Sequence, residues 1–138
     1  MDTAISFPDP QLAVRDLLRT LLAARTETYA TGATVSTRAP DASDNARSLP
    51  YIQVRSDGRF RDARLNGRAS VRVIVWHRDE GLGESLAGLC EALLLASTSD
   101  RIRGASALTG PIPTGDPDTG KPMSYFTFTA RLRPSQLS

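Results

Sequence analysis

One segment of the sequence, the mostly apolar stretch Ala69–Arg78, constrains the fold more than any other. Side chains of an extended chain alternate between two faces, so its three valines share one face, while Ile74 and Trp76 share the other. A strand that is apolar on both faces is typical of the middle of a sheet. An amphipathic helix, predicted over Leu82–Ala96, follows after three residues and has leucines and Cys90 at helical spacing. The segment therefore predicts a central strand that leads directly into a helix packed on the sheet.

The rest of the chain supplies a second helix and several shorter strands. Asp9 is predicted to cap this first helix, with Pro10 as its first residue and an apolar side formed by Val14, Leu17, Leu18 and Leu21. Turn signals at Asp57-Gly58 and Asn66-Gly67 predict a loop between two strands. The other predicted segments are strands Thr34–Arg38, Tyr51–Arg55, Ala105–Ile112 and Tyr125–Arg133, with a polar connection at Ala39–Ser48. This order predicts a single α+β domain over residues 1–138, with a mainly antiparallel sheet and two helices packed on one face.

Composition excludes several classes of function. The sequence has no run of eighteen apolar residues and no charged leader before an apolar core, so neither a membrane span nor a secretory signal is predicted. A net charge of +2 does not demand a nucleic-acid partner. One histidine and one cysteine cannot supply a metal site, and no cofactor motif is present. Lys121 is the only lysine among 17 basic residues, which we attribute to a GC-rich genome.

Candidate catalytic residues are few. His77, at the end of the central strand beside Asp79, is either a general base or a histidine bonded to its neighbours, and no nucleophile is identifiable for it. Cys90 lies on the apolar side of a helix, where burial makes a thiol inert. The Gly81-Leu-Gly83 sequence lacks the remaining glycines and the lysine of a phosphate loop. We therefore predict a protein that is not an enzyme, and keep a hydrolase using His77 as an alternative.

Two segments are candidates for contacts with partners. The first, here called the arginine hairpin (Arg59–Arg68), places four arginines and one aromatic residue close together: Arg59, Phe60, Arg61, Arg64 and Arg68. It predicts a contact with an acidic protein or nucleic-acid phosphate, or simply a solvated turn. The second, here called the proline loop (Gly110–Pro122), predicts an interaction element carrying Pro113, Asp116, Asp118 and Lys121. Ile74 and Trp76 join these candidates because both predicted helices cover the valine face, which leaves their own face without obvious cover.

The chain also resembles a known family. The residues that carry the resemblance are the capped first helix, Leu-Pro-Tyr-Ile-Gln-Val at 49–54, the central strand at 69–76 with its helix, Leu-Thr-Gly-Pro at 108–111, the Asp/Gly/Pro loop, and Tyr-Phe-Thr-Phe-Thr-Ala-Arg-Leu-Arg at 125–133. In this order they resemble the tail terminator (tail-completion) proteins of long-tailed, non-contractile bacteriophages, especially those of GC-rich actinobacterial hosts. Head–tail stoppers and connectors of the phage neck are similar in length and composition.

The resemblance implies a structural protein of the virion, assembled in the host cytoplasm. Such a protein forms a ring, expected to be a hexamer, on the last ring of the tail tube, ends tube polymerisation and presents a surface to the head–tail connector. Its implied partners are further copies of itself, the major tail tube protein and the neck proteins, while DNA passes through the lumen without sequence-specific binding. A closed ring needs two different contact surfaces on each subunit. The alternatives are a connector or stopper, or a nucleic-acid-binding module that uses the arginine hairpin.

Overall fold

The computed structural model describes residues 4–40 and 49–137. Its elements, in chain order, are β1 (Ile5–Ser6), α1 (Pro10–Ala23), a 3₁₀ turn (Thr28–Ala30), β2 (Thr34–Ser36), β3 (Tyr51–Ala63), β4 (Asn66–Trp76), α2 (Glu80–Leu95), β5 (Ile102–Gly115), β6 (Pro122–Leu132) and β7 (Ser135–Gln136). The larger sheet has the strand order β2-β3-β4-β6-β5, and only the β2–β3 pair is parallel. The prediction of an α+β fold with a mainly antiparallel sheet is confirmed.

The first helix begins where the sequence predicts a cap, whereas α2 begins at Glu80, two residues before its predicted start at Leu82. Asp9 Oδ1 accepts hydrogen bonds from the backbone N–H groups of Gln11 and Leu12, at 2.8 and 3.4 Å, and Pro10 is the first helical residue. Asp79 caps α2 in the same way, through a 2.9 Å bond from the Leu82 N–H. These bonds satisfy donors that a helix N-terminus cannot pair internally, so each helix starts at a defined residue.

Both helices pack on one face of the sheet, as predicted, and this is where the main core lies. The fully buried side chains on this face come from β3, β4, β6 and both helices: Val14, Leu18, Ile52, Val54, Val71, Val73, Leu86, Cys90, Phe126 and Phe128. Burying each large apolar side chain stabilises the fold by about 1.5–3 kcal/mol. The apolar side of α2 differs from the prediction at one position, because Leu82 is 44% exposed and Gly83 packs inward instead.

The prediction of a loop between Asp57 and Gly67 is wrong. These residues form a long hairpin in which β3 runs on to Ala63 and turns at Arg64 and Leu65 into β4. The Asp57-Gly58 signal marks a β-bulge rather than a turn, since the register with β4 shifts between Ser56 and Gly58. A glycine after an aspartate is favourable both in a turn and in a β-bulge, so the local sequence does not distinguish these two structures.

The proline loop is also shorter than predicted. β5 extends to Gly115 and β6 begins at Pro122, so only the six residues between them connect the strands. Gly110 adopts a φ of +95° at an irregularity in the β5–β6 register, which glycine accommodates best. The predicted polar connection Ala39–Ser48 lies outside the described residues from position 41 onward.

Candidate functional site

The face of the sheet opposite the helices, here called the open face, carries most of the predicted contact residues. Directly paired strand residues share a face, so the register places Trp76, Tyr51 and Met123 side by side on it, with Ile74 in the next row. Tyr51, Ile74 and Trp76 form a second, smaller apolar cluster packed against Leu49, Met123 and Tyr125. The other half of the open face is polar, with these side chains: Arg55, Arg68, Ser70, Arg72, Thr109, Thr127, Thr129 and Arg131.

The expectation that Ile74 and Trp76 lack cover within the chain is wrong. Ile74 is 9% exposed and Trp76 is 7% exposed. The Trp76 ring meets the Tyr51 ring edge-on, with centroids 6.0 Å apart and an angle of 71° between the planes. The Tyr51 hydroxyl donates to the Arg38 carbonyl at 2.7 Å. The sequence alone could not show this cover, because it comes from segments far away along the chain.

The connection between β5 and β6 is part of that cover. Trp76 Nε1–H donates to Asp116 Oδ2 at 2.9 Å, and the Asp118 N–H donates to Asp116 Oδ1 at 2.8 Å. Burial alone would raise the pKa of the Asp116 carboxyl, but the N–H groups of Asp118, Trp76 and Thr119 outweigh it and hold this pKa below its ordinary value. Asp116 therefore acts as an anchor that holds the end of the proline loop against the open face.

A cleft of about 220 Å³ lies where this connection meets the sheet. Five of the predicted contact residues line it: Ile74, Trp76, Asp116, Asp118 and Lys121. The structure thus brings together two candidates that are separate in the sequence, the end of the central strand and the proline loop. Pro113 lies apart from the cleft, exposed on β5 and paired with Ser124 of β6.

The arginine hairpin lies at the other end of the sheet, and three of its arginines contact this same chain. Arg59 and Arg61 donate to the carbonyls of Pro8 and Ile5, at 3.3 and 3.0 Å. Arg61 also stacks on the Phe7 ring at 4.7 Å, and that ring packs so closely on Gly67 that a β-carbon there would lie 2.7 Å from it. These contacts tie the hairpin to the segment that precedes α1.

Arg68 pairs with an acid rather than standing alone. Its guanidinium lies 2.9 Å from Asp62 and 4.7 Å from the centre of the Phe60 ring, which is 46% exposed. Arg64 is exposed at the turn, next to Leu65. Asp62 offsets the charge of Arg68, and two backbone carbonyls hold the guanidiniums of Arg59 and Arg61 against this same chain.

His77 and Asp79 do not form the catalytic pair considered above. The His77 Nε2 atom lies 3.2 Å from the Tyr29 carbonyl, and its Nδ1 atom accepts from the Asp79 backbone N–H at 3.1 Å. The Asp79 carboxylate caps α2 instead of orienting the imidazole. Cys90 is fully buried, and burial raises the pKa of its thiol to about 12.

A search of the described ranges, 4–40 and 49–137, finds no group of three or more histidine, cysteine or acidic residues that could hold a metal ion. Over the same ranges, no helix has the length and apolar content needed to cross a membrane.

The exposed outer strand of the sheet was not among the candidates selected from the sequence. β5 is the last strand in the order, and Leu108 on it is 54% exposed at an irregularity in the register. The sequence indicated a weak strand here, but strand order is a property of the tertiary fold and has no local signal.

Comparison with solved structures shows that this fold occurs in another protein. No family model matches the chain, and no curated protein matches it. Among the solved structures that do match is a chain of the virion of a native gene transfer agent particle, with a TM-score of 0.63 and 14% sequence identity. The match covers 88% of this chain and 95% of that one, so the two share a fold over nearly their full lengths.

Proposed function

We propose that this chain is a non-enzymatic structural protein of a phage-like virion, and that it acts there as the tail terminator. The observation that carries the proposal is the fold shared with a gene transfer agent virion chain, which extends over 88% of this chain and 95% of the other. The same role is implied by the sequence resemblance at the central strand, the capped first helix and the last strand. Two independent comparisons, one of sequence texture and one of backbone, therefore support a place in a virion.

The mechanism that fits this fold is geometric. Copies of the chain form a ring, expected to be a hexamer, which docks on the last ring of the tail tube. The ring offers no surface that another tube subunit recognises, so polymerisation ends there, and its outer side receives the head–tail connector. The open face, the arginine hairpin and the proline loop are the surfaces that we assign to these contacts.

The proposed role implies particular partners and a particular location for the protein. The partners are other copies of this chain, the major tail tube protein and the neck proteins, and DNA passes through the lumen without being read. Assembly takes place in the host cytoplasm, and the finished protein resides in the virion near the junction of head and tail. The rigid connection at Asp116 and the tethered arginine hairpin support a protein that works as a preformed surface.

A nucleic-acid-binding module is the less favoured function. It would use the arginine hairpin, but Arg59, Arg61 and Arg68 already contact backbone carbonyls or Asp62. Phosphate binding would have to replace those contacts. A duplex-binding titration at several salt concentrations would reveal such a role by a steep salt dependence.

Deleting the gene and imaging the resulting particles by electron microscopy tests the terminator role. We expect tails of abnormal length that lack heads, and expression of the intact gene from a plasmid should restore normal particles. Tails of normal length that are still joined to heads would contradict the proposal. Tails of normal length without heads would instead favour the head–tail connector or stopper.

A further inference from the structure

The sheet has two outer strands, and each is open along only part of its length. On one side β2 pairs with Tyr51–Gln53 alone, so among the described residues no strand lies beside the remainder of β3. The Ser56 N–H in that part donates to Gln11 Oε1 at 2.8 Å, so this one donor is not available to a neighbouring strand. On the other side β5 is the outermost strand from Ile102 to Gly115. An open strand edge presents unpaired N–H and C=O groups and is a template for pairing with another chain.

The pairing register shows that the open parts are level with each other. Arg55 of β3 lies in one row with Arg72, Thr127 and Thr109, so it faces the same level of the sheet as Thr109 of β5. Closer to the hairpin turn, Gly58 is level with Ser106 in the same way. The open part of β3 therefore stands directly across the sheet from the first half of β5.

The part of β3 that is paired with β2 and the second half of β5 also lie in the same rows of the sheet. The β2 strand pairs with β3 at the rows that contain Ile112, Pro113 and Thr114 of β5. A neighbouring β5 can therefore pair with β3 only up to Thr109 and has to turn away from β3 at Gly110, where the strand is irregular. Prolines on an edge strand prevent further pairing because they have no N–H to donate, and this half of β5 contains two of them. The half from Gly104 to Thr109 contains neither a proline nor a charged residue, although edges are usually protected by such residues.

Strand direction also suits a contact between neighbours. β3 and β6 run toward the turn of the hairpin, whereas β4 and β5 run away from it. If a second copy is placed beside the first by rotation about an axis roughly along the strands, β5 of one copy lies antiparallel to β3 of the next. The contact joins two different surfaces, as a closed ring requires.

We infer that neighbouring copies join through this pair of edges, with Gly104–Thr109 of one copy adding to the open part of β3 in the next. This inference rests on the ring of the proposed function and names its interface. The four antiparallel strands of each copy then continue around the ring as one closed sheet. Phe60 and Leu108, which are 46% and 54% exposed, lie on the two joined strands and lose water contact there.

Disulfide trapping in assembled particles tests the interface. Directly opposed residues of antiparallel strands have Cα atoms about 4.5–5.5 Å apart, which suits a disulfide. Closure of a sheet requires some stagger, so Thr109→Cys and Ser106→Cys are each combined with Arg55→Cys and with Phe60→Cys. We expect at least one of these four double variants to give a ladder of linked chains on a non-reducing gel, ending at six for a hexamer.

The control pair lies on the exposed side of α2, away from both strand edges. Glu84 and Ala92 are eight residues apart there, too far for a disulfide within one chain, so Glu84→Cys with Ala92→Cys should remain monomeric. Cys90 is buried and does not contribute to the ladder. The interface would be overturned if the chain is present in particles but runs as a monomer in all four double variants. It would also be overturned if the control pair gives the same ladder of linked chains as the test pairs. Absence of the chain from wild-type particles would instead overturn the proposed function, and the interface with it.

A second pair of variants tests the same interface if a cysteine variant is not incorporated into particles. Leu108→Lys places a charge on the unprotected half of β5, whereas Ile112→Lys places the same charge on the half that has prolines. We expect Leu108→Lys to lower the yield of joined particles at least tenfold in a plasmid complementation assay, and Ile112→Lys to change it less than twofold. Equal effects of the two variants, with both proteins folded by circular dichroism, would contradict the inference.

Discussion

The two faces of the sheet are stabilised in different ways. The face under the helices is an apolar core in which Phe126, Val71 and Val73 are fully buried. The open face has a small apolar cluster at one end, around Trp76, and polar side chains over the rest. The first face needs no specific polar contact, whereas the second depends on a few directed bonds such as Trp76 to Asp116.

This difference explains why one face was predictable and the other was not. Hydrophobic burial is non-directional and follows the alternation of residues along each strand. Directed hydrogen bonds join residues that are distant in the chain, forty positions apart for Trp76 and Asp116. The contrast between the two faces can therefore be tested by chemical modification and by substitution.

The reactivity of cysteines should differ most between the faces. Burial raises the pKa of the Cys90 thiol from 9.0 to about 12, so at pH 8 its thiolate fraction falls by roughly a thousandfold. In a Thr129→Cys variant, Ellman's reagent should modify one thiol per chain rapidly and the second only after denaturation. Rapid modification of Cys90 in the folded wild-type protein would show that the helix-covered face is not closed.

Truncation on strand β6 should be costly on one face only. Phe126→Ala removes a fully buried ring and should lower the free energy of unfolding by about 3–5 kcal/mol. Thr129→Ala, on the open face of the same strand, should lower it by roughly 0.5 kcal/mol or less. Urea unfolding followed by circular dichroism measures both. Similar losses for the two variants would contradict the assignment of the main core to the helix side.

The aromatic pair on the open face should be energetically coupled. Tyr51 and Trp76 meet edge-on, an arrangement worth about 0.5–1.5 kcal/mol beyond simple burial. A double-mutant cycle with Tyr51→Ala and Trp76→Ala should return a coupling energy in that range. Strict additivity of the two substitutions would indicate that the rings only fill space.

The Asp116 anchor should give a small stabilisation that is lost in acid. Its carboxyl has a lower pKa in the folded chain than the ordinary value of 3.8, so its contribution is complete well above pH 3.8 and falls as the pH drops through the folded pKa. Asp116→Asn should cost about 1 kcal/mol at pH 7 and less at pH 3. The difference in unfolding free energy between wild type and variant at these two pH values measures the effect.

Asp16 provides the control for that measurement. Its pKa is also lowered, chiefly by the hydrogen bond from Arg101, so Asp16→Asn should show the same sign of pH dependence without affecting the open face. Fluorescence of Trp76, the single tryptophan, should change in Asp116→Asn and stay the same in Asp16→Asn. A change of fluorescence in both variants would show that the fluorescence of Trp76 does not report on its hydrogen bond to Asp116.

Much of the fold could be predicted because it follows from local patterns. The cap at Asp9 and the strand at Ala69–Trp76 each have a signal within a few residues, and the sequence predicted both positions correctly. The hairpin from Asp57 to Gly67 was predicted as a loop because turn signals, Asp57-Gly58 and Asn66-Gly67, lie at its two ends. Its strands form through pairing with each other and, for β4, with β6, which local composition does not report.

The candidate contact residues were identified by type, but their grouping depended on the fold. The sequence selected Trp76 and Asp116 for separate reasons, and only the structure places them in one hydrogen bond. It selected the arginines of the hairpin as a charge cluster, and the structure shows Arg59, Arg61 and Arg68 engaged within the chain. The open edge of β5 was not selected, because an edge is defined by the absence of a neighbouring strand.

The sequence by itself determined the α+β class, the start of the first helix and the helix-covered face, because capping and the alternation of apolar residues act over short distances. The tertiary structure alone decided what covers Ile74 and Trp76, where the hairpin arginines bind, and which halves of β3 and β5 stay open. Those features depend on strand order and register. Both are set by long-range pairing, in which a shift of one residue exchanges the two faces of a strand.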